Sequence, residues 1–415
     1  RTIWSVVWSC LSTIFLCTWV AIHPNVAFRP EKRNASWFET WIRDPLHDFF
    51  TYKLVLFFWA LLVPEYILAW SVRQYIRAGQ IQKQVPGWTR THGFFMIMGG
   101  FHLFRLPPDA PCIPLPLKSS SPSDFVIPSG YHSREEEVPV CPLEMSDLPV
   151  DVLEFITPTK AELKDKGKSD GLTKLIILVQ TSWFIIQCIA RGTQGLPLTE
   201  LEVITLAYAM LNFFIYMFWW DKPRNVECPI RVYKPLASSH DSEKPKRKWS
   251  ESWLILLGER IAMYAVGNQD DYVHSKDSSS IPTFWSGRLD SVADATVGPS
   301  ILGAAFGAIH CISWLSEFPS SAELIIWRVS CITMIAVPVA AFLLCSAGSL
   351  SHRIKGRDPL WLDITLITSG ISLILSAWLY IAARIVTLVI AFTTLRALPS
   401  AAYSAVNWTT FIPHI

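Results

Sequence analysis

Seven stretches of this chain run for about 20 residues with few charges: 2–22, 53–73, 172–190, 199–220, 297–318, 325–350 and 360–381. A helix rising about 1.5 Å per residue needs roughly that length to cross the hydrocarbon of a bilayer. The pattern predicts an all-α, polytopic transmembrane helix bundle with about seven spanning helices. The last stretch continues as "RIVTLVIAFTTL", either a helix extension or a separate interfacial helix. Two shorter apolar pieces, "HGFFMIMGGFHLF" (92–104) and "WLILLGERIAMYAV" (253–266), read as re-entrant or surface-lying helices.

Composition agrees. Charged residues make up 17% of the 415, against about 25% in soluble domains. The net charge of +2 is too small to point to nucleic acid, and no nucleic-acid motif is present. Membrane lipids and a lipid-soluble small molecule are the expected partners, in an endoplasmic-reticulum or other endomembrane setting. The 19 Trp suit interfacial belts or an aromatic-lined cavity. Nine Cys without any CxxC spacing indicate neither a zinc site nor a redox pair.

Along the chain, 1–104 reads as N-terminal spans plus a short apolar helix. Segment 105–171 is a Pro-rich polar loop, 172–220 a helix pair, 221–295 a polar loop with a short interfacial helix, and 296–415 the C-terminal spans and tail. Both loops look solvated and partly disordered. "RDPL" occurs at 43–46 and 357–360, where Asp and Pro suit a helix start. Basic residues lie in the loops after the second span (Arg73, Arg77, Lys83, Arg90, Lys160, Lys164, Lys166, Lys168), the fourth (Lys222, Arg224, Arg231, "KPKRK") and the sixth (Arg353, Lys355, Arg357). The positive-inside rule makes these three loops cytosolic and puts residues 23–52 and the C-terminus across the membrane. Both N-x-S/T sequons, at Asn34 and Asn407, then fall on the lumenal side. A removed signal peptide would start the chain outside and require one short apolar piece to span as well.

Several motifs occur together: "TIWSVVWSCLSTIFLCTWVAIHPNV" (2–26), "VPEYILAWSVRQY" (63–75), "WTRTHGFFMIMGGF" (88–101), "FWWDKP" (218–223) and "NWTTFIPHI" (407–415). With them the chain resembles a large group of fungal multipass membrane proteins without assigned function. The resemblance implies a fungal source and a polytopic fold. It also implies that a secretory segment often precedes the first span, and it transfers no catalytic residue.

Glu65 lies amid apolar residues, where a carboxylate costs roughly 2.5–3.5 kcal/mol or more. It follows Pro64, which can kink the span, and Trp59 and Trp70 flank it. It is either a packing contact or a desolvated acid able to donate a proton. Gln180 and Gln187 share one face, with Arg191 four residues on; they glue helices or line a cavity, and Arg191 can snorkel. Tyr208, Asn212 and Tyr216 recur every four residues and lead to Trp219, Trp220 and Asp221. They form a stripe aimed at a bundle interior, with Asp221 as an acid or a helix end. Gly303 and Gly307 make a close-packing face that continues through His310 and Trp314. His310 is a hydrogen-bond partner or a catalyst, and His92 a cap or a proton shuttle.

No HExxH, histidine box, P-loop, GxSxG or GxGxxG is present, and "NQDD" (268–271) is a weak match to diphosphate-binding pairs. No metal or other cofactor is implied. An acid among aromatic rings without a metal fits an enzyme acting on a lipid-soluble substrate, such as an isoprenoid (terpene) cyclase. Glu65, His310 and Asp221 are then the catalytic candidates. Tyr208, Asn212, Tyr216, Trp219, Gln180 and Trp314 are the substrate-binding ones. A transporter or channel is the alternative, though neither paired repeats nor broken helices are visible in the sequence. A non-catalytic receptor or scaffold is the third reading.

Overall fold

Thr2 opens the first helix, its hydroxyl accepting the Ser5 N–H while Ser5 Oγ accepts that of Thr2. In this computed structural model, residues 1–26, 36–43, 46, 49–107, 109–116, 125–130, 137–167, 171–224, 226–234, 281–287, 292–353 and 359–411 are described. The expectations for "KPKRK", for 253–266, for "NQDD" and for Asn34 lie outside them. Helix α1 (Ile3–Phe15) runs into a π-helical turn, Leu16–Val20, where the Ala21 N–H reaches back five residues to Leu16 O.

Helices α2 (Leu54–Leu62) and α3 (Pro64–Gln84) follow, meeting at 106°. The expected single span at 53–73 is therefore broken. Pro64 lacks an N–H and forces Val63 out of the helical region, to φ −138° and ψ 63°, and itself becomes the first residue of α3.

Residues 92–104 do not form one helix. Helix α4 (Arg90–Ile97) ends before strand β1 (Phe101–Arg105). Strands β2 (Cys112–Pro114), β3 (Val126–Pro128), β4 (Val138–Pro142) and β5 (Ile230–Lys234) join β1 in a sheet of order β2-β3-β5-β1-β4. Strands β1 and β5 are parallel and bring the two polar segments together. Helices α5 (Val150–Ile156) and α6 (Lys160–Lys166) complete this cap. The all-α expectation thus needs correction, and 105–171 is in part a folded layer. Its polar character reflects half-covered strands whose apolar members, such as Phe104 and Val126, face inward. Cap and bundle share one apolar core, in which Trp88 stacks on Phe101 and Gly93 crosses α3 closely. A Cβ on Gly93 would lie 2.3 Å from Ala78 O.

Helices α7 (Gly171–Thr193) and α8 (Glu200–Phe218) form a hairpin; Thr199 and Glu202 cap α8 reciprocally. Then come α9 (Val292–His310) with a 3-10 turn Cys311–Leu315, α10 (Ser321–Arg353) and α11 (Pro359–Thr393). The tail piece "RIVTLVIAFTTL" extends α11 through Thr393. Five helices are long and apolar enough to cross a membrane, or six if the bent pair counts as one span. The molecule is thus mostly helical, as a membrane protein would be. Gly307 lets α9 meet α10: a Cβ there would lie 2.8 Å from Ile335 N.

The two ends of the bundle differ. At one, Arg1 Nε donates to Ala402 O at 2.7 Å and the Arg1 guanidinium pairs with Glu202. Arg191, expected to snorkel, is buried there and donates to Ser404 O and Pro197 O. The other end carries the cap.

Two cap histidines predict a pH response. His92 is a cap rather than a shuttle, its Nδ1 accepting the Thr89 N–H and its Nε2–H donating to Pro158 O. Burial lowers its pKa and brings that of His102 on β1 down to about 4. A histidine with a depressed folded pKa contributes stability above its unfolded value, about 6.5, that is lost as pH falls through the folded one. The cap is expected to loosen between about pH 6.5 and 4, and His102→Gln to blunt that loss. Intrinsic Trp fluorescence during acid titration is the measurement; identical titrations for both proteins would sink the account.

Candidate functional site

A helix break at membrane depth leaves backbone carbonyls without intrahelical partners, at a cost of several kcal/mol each in hydrocarbon. Two side chains from distant helices take them. The Tyr208 hydroxyl of α8 donates to Leu61 O, and Arg384 Nε of α11 to Leu62 O at 3.3 Å. The cation at the C-terminal end of α2 also opposes that helix's negative dipole end.

Arg384 is fully buried and organises the centre of the bundle. Its Nη2 donates to Tyr208 Oη at 2.7 Å, its Nη1 to His310 Nε2 at 3.3 Å, and its guanidinium stacks 4.4 Å from the Phe306 ring. Because Arg only donates, His310 Nε2 is the lone-pair nitrogen. The ring's Nδ1–H goes to Phe306 O at 2.9 Å, which makes His310 a neutral imidazole. Trp327 Nε1 donates to His310 O and closes the cluster.

Glu65 sits in the first turn of α3, beyond the break, where the positive dipole end favours a carboxylate. It lies in the field of Arg384 and beside the Tyr380 hydroxyl, and its Cγ lies near Gly303, where a Cβ would come within 3.7 Å of it. Neither carboxylate oxygen has a hydrogen-bond partner of ordinary geometry, nor does Tyr380 Oη. A buried acid with spare hydrogen-bonding capacity can take and release a proton without breaking a contact.

The structure brings together Glu65, Tyr208 and His310 from the sequence candidates, and adds Arg384 and Tyr380. Asn212 lies one turn along α8 from Tyr208, on a small cavity it shares with Pro64. The remaining candidates lie elsewhere. Asp221 sits in the turn after α8, among the charges of the cap end near Lys174, so it ends the helix rather than joining the acid. Tyr216 is buried at that end under the His23 ring. Gln180 donates to Thr13 Oγ1 at 3.3 Å and ties α7 to α1. Trp314 lies in the 3-10 turn after α9, its ring 5.2 Å from Arg328 and its carbonyl accepting from that side chain. Trp70, which flanks Glu65 in sequence, packs edge-on against Trp219 at 5.0 Å.

Trp219 belongs to a second buried polar cluster, whose centre, Lys222, is the one cation of "FWWDKP" that the sequence offered as a loop charge. Lys222 is 1% exposed; it donates to His23 O and to Gln74 Oε1 (2.8 Å), with the Trp70 and Trp219 rings 4.6 and 4.5 Å away. Gln74 and Asn25 also bond Trp285 O, tying α3 to the 281–287 segment. This cluster joins cap to bundle. The signal that could have found Arg384 is the one that found Glu65, a charge inside an apolar run. A seventh span ending at residue 381 stops three residues short of it. Among the described residues no group of His, Cys, Asp and Glu is placed to hold a metal ion.

A family of unknown function (DUF8562) matches residues 150–238, which run from α5 through α8 into the stretch after β5. No curated protein and no solved structure matches the chain.

Proposed function

We propose that this protein is a polytopic membrane transporter that moves protons, alone or with a solute, through the Glu65 carboxylate. The observation that carries this reading is the break between α2 and α3, with Arg384 at one half-helix end and Glu65 at the other. Discontinuous helices near the bilayer midplane are how transporters build sites for ions and charged groups. Tyr208 lies eight residues into α8 and Arg384 nine from the end of α11, about 12–14 Å from that end of the bundle and so near the middle of a roughly 30 Å core.

Acid catalysis on a lipid-soluble substrate, isoprenoid cyclisation included, is the second reading, supported by Tyr380 beside the acid and the rings of Tyr208 and Phe306 against Arg384. Arg384 weighs against it. Two unit charges about 5 Å apart repel by about 3 kcal/mol at an effective dielectric of about 20, and a growing carbocation would share the guanidinium's space.

The test is a pH jump across proteoliposomes loaded with a pH-sensitive dye and clamped with potassium and valinomycin. Wild-type protein should carry protons well above the rate of empty vesicles and of vesicles with Glu65→Gln. Equal rates in all three would overturn the transport reading; conversion of a supplied polyprenyl lipid would put the enzyme reading first.

The same reading carries a topology. Trp19 meets Phe49 and Phe57, and Gln74 meets Lys222, so α2 enters and α3 leaves at the cap end without crossing. On this reading six helices cross, the five long apolar ones (α1, α7, α8, α10 and α11) and the shorter α9, whose apolar part with its 3-10 turn is Ser300–Leu315, and Arg1 and Asn407 lie on the face opposite the cap. The cap holds Arg73, Arg77, Lys83, Arg90, Lys160, Lys164 and Arg231, which the positive-inside rule makes cytosolic. Residues 23–26, bonded to Lys222 and Trp285, join that side, the reverse of the placement expected for 23–52. In sealed microsomes, Asn407 is expected to carry a glycan and Asn34 none. A membrane-impermeant maleimide should label the exposed Cys112 and Cys228 without permeabilisation. A glycan on Asn34, or maleimide protection of both cysteines, would reverse the arrangement.

A further inference from the structure

We infer that Asn212 anchors internal water, and that this water links Glu65 to His23 as a proton path along the inner face of α8. The inference rests on the reading of Glu65 as a proton site and supplies its route to the cap side.

Four buried groups carry it. Both Glu65 oxygens, both amide atoms of Asn212, the Tyr216 hydroxyl and His23 Nε2 are buried and lack a hydrogen-bond partner. Each such atom costs about 1–3 kcal/mol if nothing satisfies it, and internal water is the usual remedy. Asn212 lines a cavity with Cys17, Thr18, Pro64, Ile67 and Tyr208 that has the room of about one water molecule. A water both donates and accepts, so it can serve Asn212 Oδ1 and Nδ2; an alkali cation would leave the N–H groups unpaired.

Two irregular stretches of backbone contribute to the walls of this cavity, beside the regular helix α8. Cys17 and Thr18 belong to the π-helical turn, a form often found at functional sites, and Pro64 to the helix break. Thr18 donates its hydroxyl to Ile14 O at 2.7 Å and keeps its lone pairs for the cavity. Tyr208, Asn212 and Tyr216 follow one another at about 6 Å along the helix axis, a step that one water spans with two hydrogen bonds of about 2.8 Å. The His23 ring then lies 5.9 Å from the Tyr216 ring, edge to face. Its Nδ1–H is held by Ala21 O at 2.8 Å, which leaves Nε2 as the proton acceptor at the end of the path. Arg384 bears on the inner end through Tyr208. Lys222, Arg224 and Lys174 bear on the outer end and, with burial, hold His23 neutral, so a proton passes through it rather than resting there.

Two measurements on the reconstituted full chain test this. Pulsed X-ray hydroxyl-radical labelling marks buried side chains that touch bound water. Cys17 and Tyr216 should be labelled in the wild type despite their burial, and lose the label in Asn212→Leu, whose side chain displaces the water. Proton flux should fall by at least about tenfold in Asn212→Leu, the scale on which a lost proton-transfer group acts. In Tyr216→Phe, which removes one unpartnered oxygen and is expected to fold normally, flux should fall several-fold. Absence of label at both residues in the wild type overturns the water site. Wild-type flux in Asn212→Leu and Tyr216→Phe, with Glu65→Gln inactive, overturns the path while leaving Glu65 as the proton site. If the wild type carries no protons at all, the transport reading and the path fall together, and the labelling alone decides the water.

Discussion

Arg384→Met is expected to cost about 3–5 kcal/mol of stability, the scale for removing one partner from a buried charge cluster. The substitution strips donors from Leu62 O, Tyr208 Oη and His310 Nε2 at once, and leaves Glu65 without its compensating charge. Met fills a comparable volume and itself resembles the neighbouring Met334, so packing alone does not account for a loss of that size. The measurement is thermal unfolding in detergent. The double variant Arg384→Met with Glu65→Leu should recover part of the loss, because a buried charge cluster replaced as a whole by apolar side chains is often tolerated. If the single variant melts like the wild type, the guanidinium does not hold the helix break together. If the double variant is no better than the single one, Glu65 and Arg384 are not coupled.

Glu65→Gln is the second large effect, and it falls on activity rather than folding. Gln has nearly the same shape, and the carboxylate oxygens it replaces make no hydrogen bond of ordinary geometry that could be lost. The melting temperature should fall by clearly less than in Arg384→Met, because the Arg384 guanidinium keeps its donations to Leu62 O, His310 Nε2 and Tyr208 Oη when only the opposing charge is lost. Proton flux should drop by about a hundredfold or more, since proton-transfer groups contribute about 10²–10⁴-fold. A Glu65→Gln protein that unfolds during purification would make the residue a structural contact. One that folds and conducts normally would remove Glu65 from the path and the proposed function with it.

Much of the architecture was legible because lipid makes local rules strict. A backbone that must satisfy itself within one segment turns apolar length directly into helix, so α1, α7, α8, α10 and α11 fall where the sequence placed spans. The small-residue spacing of Gly303 and Gly307 likewise reads as close packing, because removing Cβ atoms is what permits two helices to touch. The burial of Tyr208, Asn212 and Tyr216 followed from their common face on one helix. Less followed for the polar segments. Strands β1 and β5 pair across more than a hundred intervening residues, and each is too short to declare itself by alternation.

The candidate site divides along the same line. Sequence by itself determined that Glu65 is costly where it stands, that Pro64 would bend the chain beside it, and that one face of α8 is polar. These are properties of single segments in a medium without water. Only the tertiary structure decided what the cost of Glu65 is set against. Arg384 is over three hundred residues away and reaches the break from another helix, where it serves two helices, a carbonyl and a ring at once. Tertiary contacts also separated residues that neighbour one another in sequence, sending Trp219 and Lys222 to the cap junction and Asp221 to a helix end. The physical reason is that charge compensation and hydrogen-bond satisfaction are settled at distances of a few ångströms, between groups whose meeting depends on how whole helices pack.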